Sequence, residues 1–137
     1  MTDSETTPSS VYVDTSVFGR VLLDEPDKDA IRRDLAKFDR RVASRLLRVE
    51  LRRLARREDA LEEADRVLDD VQLIPMDDGV LTSAETISPT NVGTLDAIHL
   101  ATALRLAKAG KLDALMTYDK RLADGAREHD ITVLSPS

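Results

Sequence analysis

Residues 11–20 read VYVDTSVFGR. Val11, Tyr12 and Val13 form a short apolar run that stops at Asp14, the pattern of a buried strand. From Ser16 to Leu23 the spacing turns helical. A strand that passes through one acid into a helix opens an alternating chain, and the rest of the sequence repeats the alternation. Pro26 suits the first turn of a second helix over Asp27–Phe38. Arg41–Ser44 is a strand candidate, followed by helical stretches over Ser44–Arg57 and Asp59–Asp70. Val71–Ile74 reads as a strand closed by Pro75, and Asp78–Ile87 as a helix. Ser88–Gly93 is a loop by its turn residues. Thr94 can cap a helix that runs to Lys108 and ends at Gly110. Ala114–Thr117 is a strand, Lys120–Glu128 a helix and Ile131–Leu134 a last strand. This order predicts an α/β fold, a parallel sheet with helices on both faces. Residues 1–10 (MTDSETTPSS) lack periodicity and read as a disordered tail, leaving residues 11–137 as one domain.

The 137 residues suffice for one domain, and 42% hydrophobic residues suffice for a core. Aromatics are 3% with no Trp, so the core is aliphatic and base stacking is not the main binding device. The absence of Cys excludes disulfides, thiolate zinc sites and a cysteine nucleophile. With two His, any metal is expected on oxygen ligands. No apolar run reaches the ~20 residues of a membrane span, and no signal peptide opens the chain, so a cytoplasmic protein with no membrane contact is expected. The net charge of −6 speaks against nucleic acid. Yet Ile31–Arg57 holds 11 basic and 3 acidic residues, and the other 110 hold 9 and 23. Such a segment is either a solvated helix face or a grip for a polyanion.

Four acids fall where chemistry is done in such folds. Ligands bind beyond the carboxyl ends of parallel strands. Asp14 ends the first strand and Asp119 follows the fourth, although either could be a plain helix cap. At ~100° per residue, Glu50 projects between Leu46 and Leu54, inside the apolar stripe of its helix. Arg45, Arg48, Arg52, Arg53 and Arg56 take the other side. A carboxylate there needs a cation or hydrogen bonds, unless it reaches out to water, Arg53 or Arg57. Asp96 shares a face with Leu100, Ala103 and Ala107 in a first helical turn that favours an anion. His99, at i+3, reads as a packed histidine rather than a ligand. If the sheet gathers these four acids, they cannot all stay ionised without a counter-ion. Mg2+ or Mn2+ fits oxygen ligands and points to phosphate-ester chemistry.

Four segments resemble the motifs of PIN-domain ribonucleases, in particular the VapC toxins of toxin–antitoxin pairs. They are VYVDTSV at 11–17, RVEL at 48–51, LDAIHLATA at 95–103 and TYDKRL at 117–122, with Leu122 where Phe is frequent. The resemblance implies a three-layer α/β/α PIN-like fold with a central parallel sheet of about five strands. It implies that Asp14, Glu50, Asp96 and Asp119 are catalytic and bind Mg2+ or Mn2+. Thr15, Ser16 and Thr117 would support them. Arg45, Arg48, Arg52 and Arg53 are the candidate RNA contacts. It further implies cleavage of RNA, often transfer or ribosomal RNA, a VapB-like antitoxin as inhibitor, and a homodimer. The antitoxin groove would be lined by Ser16–Leu23 and Ser44–Arg57. Two other readings stand beside this one. A catalytically silent PIN module would bind RNA or protein without cutting. A phospho-acceptor receiver domain would use Asp77 or Asp78, but no Lys follows the last strand.

Overall fold

The computed structural model describes residues 8–137. The tail expected over residues 1–10 therefore lies, for its first seven residues, outside the described part. Ser10 already belongs to the sheet, and the Ser9 amide donates to Asp39 Oδ2 at 2.9 Å.

Five strands form one parallel sheet in the order β3-β2-β1-β4-β5. They are β1 (Ser10–Val13), β2 (Arg40–Ser44), β3 (Gln72–Ile74), β4 (Ala114–Met116) and β5 (Val133–Leu134). Strand β1 is central: Tyr12 stands in register with Val42 on one side and Leu115 on the other. All four of its residues are buried, because helices cover both faces and no alternation of exposure survives. The helices are α1 (Thr15–Leu22), α2 (Lys28–Leu35), α3 (Leu46–Arg57), α4 (Leu61–Asp69), α5 (Asp78–Thr86), α6 (Thr94–Lys108) and α7 (Lys120–Glu128). Helices α1–α4 pack among themselves, as do α5–α7, giving the expected α/β/α sandwich. The core is aliphatic, built on Val11, Val13, Val17, Leu47, Leu51, Leu100 and Leu115.

The expected elements are present in order, and their ends shift for local reasons. Pro26 falls outside α2, which begins at Lys28; the Asp27 side chain binds Arg20 at 2.9 Å instead of capping the helix. Thr94 is the first residue of α6 rather than its cap, a place taken by Gly93. Helix α4 starts two residues later than Asp59, because Asp59 and Ala60 close the end of α3: Asp59 adopts φ 54° and the Ala60 amide reaches back to the Ala55 carbonyl. Gly110 ends α6 in the same way, with φ 71° and the Lys111 amide bonded to the Leu106 carbonyl. Helix α6 is also more deeply set than a single apolar face would make it. Ala97 through Ala103 are all buried, and the exposed charges Arg105 and Lys108 come only in its last turn.

The strand order bears on the receiver reading. Receiver domains of the flavodoxin-like type run 2-1-3-4-5, and this sheet does not. Asp77 caps α5 through the Val80 amide and holds Arg105 with both carboxylate oxygens, at 2.8 and 2.9 Å. A carboxylate so engaged is poorly placed to accept a phosphoryl group.

Candidate active site at the switch point of the sheet

The chain leaves β1 toward β2 on one side and returns through β4 on the other. The crevice between the carboxyl ends of β1 and β4 is therefore the switch point, where a ligand is expected. Asp14 stands at one lip and Asp119 at the other. Both are also helix caps, so the plain reading of each holds together with any functional one. Asp14 caps α1 through Ser16, and Asp119 Oδ1 accepts from the Leu122 amide at 3.1 Å.

A polar knot ties the two lips together. Asp14 Oδ2 accepts from Thr117 Oγ1 at 2.9 Å and from Ser16 Oγ at 2.8 Å. Thr117 Oγ1 in turn accepts from the Asp119 amide, and Ser16 Oγ from the Tyr118 amide. Asp14 is only 5% exposed, and these donors satisfy one of its oxygens in the interior.

Glu50 enters from α3. The helical geometry placed it on the inward side, and there it stays, with neither Arg53 nor Arg57 as partner. Its Oε1 accepts from Thr15 Oγ1 at 2.6 Å and faces His99 Nε2 at 2.7 Å. Burial alone would raise its carboxyl, but the bonds from His99 and Thr15 outweigh it and hold the pKa below the ordinary value. His99 is fully buried, as expected of a packed histidine. Its ring is nevertheless bonded at both nitrogens, Nδ1 to the Tyr12 hydroxyl at 2.6 Å and Nε2 to Glu50 Oε1, while Asp14 Oδ1 stands 4.0 Å from Nε2. Burial disfavours its cation, but Glu50, Asp14 and Asp96 together raise its pKa.

Asp96 comes from the first turn of α6. Burial first, then the charges of Asp119 and Asp14, push its carboxyl up to about 6. The four sequence-selected acids thus lie within electrostatic reach of one another, or of His99. The carboxylates divide their labour: Asp14 Oδ2, Glu50 Oε1 and Asp119 Oδ1 take the protein's hydrogen bonds. No hydrogen bond falls on Asp14 Oδ1 or Glu50 Oε2 among the described residues, while the Asp119 carboxylate also stands within hydrogen-bonding reach of Asp96. Among those residues, no three His, Asp or Glu side chains stand together as a ready-made ion cage.

The arginines of α3 line a groove that none of the four acids borders. Arg45, Arg48, Arg52, Arg53 and Arg56 line an open groove of about 460 Å³ with Val49 and Leu61, between α3 and the start of α4. Arg52 also binds Asp65. The rest of the basic segment is spent elsewhere: Arg41 donates to the Leu35 and Phe38 carbonyls at the end of α2. Between α1 and α3, Gly19 packs close to Leu54. A mostly apolar groove of about 300 Å³ runs along α1, α2 and α4, past Phe18, Val21, Leu35 and Val67, with Arg32, Arg41 and Asp70 also on its walls. Tyr12 is the site neighbour that sequence reasoning missed. A tyrosine inside a fully apolar strand was the available signal, because its hydroxyl must find a partner when buried.

Known proteins resemble this chain in sequence and in fold. The family model described as PIN domain matches residues 11–128. Ribonuclease VapC46 of Mycobacterium tuberculosis is 39% identical over 131 residues, covering 94% of this chain and 99% of the relative. Ribonuclease VapC47 of the same species is 36% identical, covering 92% and 96%. Among solved structures, a toxin–antitoxin complex from Klebsiella pneumoniae aligns with a TM-score of 0.71 at 16% identity, over 93% of this chain and 98% of the other.

Proposed function

The chain belongs to the PIN domain family, and from that premise we propose that it is the toxin of a toxin–antitoxin pair, a metal-dependent endoribonuclease. The observation that carries the catalytic reading is the division of the carboxylates. One oxygen of each of Asp14 and Glu50 is fixed by the protein and the other takes no hydrogen bond, beside an Asp96 whose charge Asp119 and Asp14 already oppose. Ligating carboxylates are held by outer hydrogen bonds in this manner. Asp14, Glu50, Asp96 and Asp119 would hold Mg2+ or Mn2+, a cation that polarises a phosphoryl oxygen and offsets the charge that develops there.

The chain's own residues do the rest. Thr117 and Ser16 hold Asp14, while Thr15 and His99 hold Glu50. Arg45, Arg48, Arg52 and Arg53 grip the phosphates of a single-stranded or looped RNA in the groove one helical face away. Hydrolysis adds water across the P–O3′ bond and leaves a 5′-phosphate and a 3′-hydroxyl. The apolar groove of α1, α2 and α4 is the seat we assign to an amphipathic segment of a VapB-like antitoxin. Transfer or ribosomal RNA is the substrate class, the cytoplasm the place of action and a homodimer the working form.

The test is cleavage of a structured RNA by purified protein in Mg2+ or Mn2+. Asp96→Ala and Asp14→Asn should each reduce the rate at least 100-fold while circular dichroism shows an intact fold. Either variant retaining near-full activity would remove that residue from the mechanism. RNA binding with no cleavage in any divalent metal would favour the silent-module reading instead.

A further inference from the structure

Unlike Asp14 and Asp119, Glu50 accepts from no backbone amide among the described residues. It sits mid-helix on a flexible side chain, with Arg53 and Arg57 one turn or two away on the same helix. Besides the Thr15 hydroxyl, what keeps it inward is a rod of buried side chains. The Ser44 amide donates to the Tyr12 hydroxyl at 2.9 Å, that hydroxyl lies 2.6 Å from His99 Nδ1, and His99 Nε2 lies 2.7 Å from Glu50 Oε1. Tyr12 and His99 have no solvent exposure. Their rings meet edge-on, 77° between planes.

The backbone amide sets the direction of this rod. An N–H can only donate, so the Tyr12 oxygen accepts from Ser44 and its own proton is free to go to Nδ1. With the imidazole neutral, its remaining proton then sits on Nε2 and points at Glu50; this assignment rests on the hydrogen-bond network. The rod joins β2, β1, α6 and α3, so the position of one carboxylate is referred to the centre of the sheet. Both ring nitrogens are engaged, which leaves His99 no lone pair for a ligand of its own.

We propose that Tyr12 and His99 are positioning residues, which fix the Glu50 carboxylate and thereby set the affinity of the site for a divalent cation. This rests on the reading of Glu50 as a metal-holding residue. Outer-sphere partners of this kind alter metal affinity by about 10- to 100-fold.

Mn2+ binding to the full chain without RNA, followed by calorimetry well below each variant's melting temperature, tests it. His99→Leu should weaken Mn2+ binding about tenfold or more, and Tyr12→Phe several-fold. His99→Gln, whose amide can accept from Tyr12 and donate to Glu50, should recover most of the affinity. In a Glu50→Gln background, His99→Leu should cost nothing further. A residue that served stability alone would lower the melting temperature and leave Mn2+ affinity in place, and that result would overturn the proposal. So would an equal loss from His99→Leu with and without Glu50. If His99→Leu does not fold, Tyr12→Phe, which removes a single oxygen, decides the matter. Should wild type and Glu50→Gln bind Mn2+ alike, the metal reading of Glu50 falls and takes the positioning with it. A loss in Glu50→Gln with none in His99→Leu or Tyr12→Phe overturns the positioning alone.

Discussion

Asp96 bears the site's internal conflict. Its carboxyl titrates near 6 in the fold against an ordinary 3.8, through burial and the charges of Asp119 and Asp14. A raised acid pKa means that the folded state resists ionisation. The cost is fully present above pH 6 and vanishes as pH falls toward 4. In metal-free protein, Asp96→Asn should therefore raise stability at pH 7.5 by on the order of 1–2 kcal/mol, allowing for partial exposure and the favourable helix N-terminus. Below pH 4.5 the variant and the wild type should melt together. Saturating Mg2+ should reverse the order at pH 7.5, because a cation that binds the folded wild type stabilises it by mass action. Urea melts at the two pH values, with and without Mg2+, measure this. All four acids were legible in the sequence, since strand ends and helical angles are local quantities. The Tyr12–His99–Glu50 rod was not: it depends on β1, β2, α3 and α6 meeting, which no spacing within one element records.

Among the described residues, seven helices and five strands were legible in order, because most are short and bounded by a turn signal. What blurred their ends was the choice of residue at the helix stops. Gly110 announces itself, but α1, α3 and α7 end on Asp24, Asp59 and Asp130, with φ of 58°, 54° and 62°. At α3, for example, the Asp59 amide turns back to the Arg56 carbonyl as the Ala60 amide does to Ala55. Aspartate tolerates this left-handed turn but is strained relative to glycine. Asp59→Gly and Asp130→Gly should each add about 0.5–1 kcal/mol, a rise in Tm of about 2–4 °C, and the pair should be additive. Differential scanning calorimetry reads both numbers. The same change at Asp24 should gain less, because Asp24 also pairs with Lys28.

Over the whole molecule, a net charge of −6 conceals a groove of five arginines as well as a separate cluster of acids. Composition alone pointed away from nucleic acid, because it averages over surfaces that the fold keeps apart. If four of these arginines grip phosphates, RNA affinity should fall with salt at a slope of about −3 in log–log form, and each Arg→Gln change should flatten it by about 0.7. Filter binding with the Asp14→Asn variant across a salt series gives the slope without cleavage. One further consequence follows from the knot of Asp14, Ser16 and Thr117. Its ends are 103 positions apart in sequence, and Asp119 lies beyond them. A chain still emerging from the ribosome carries the first lip of the crevice before the second has been made, so any chemistry that needs both lips waits until two distant segments have met in the folded sheet.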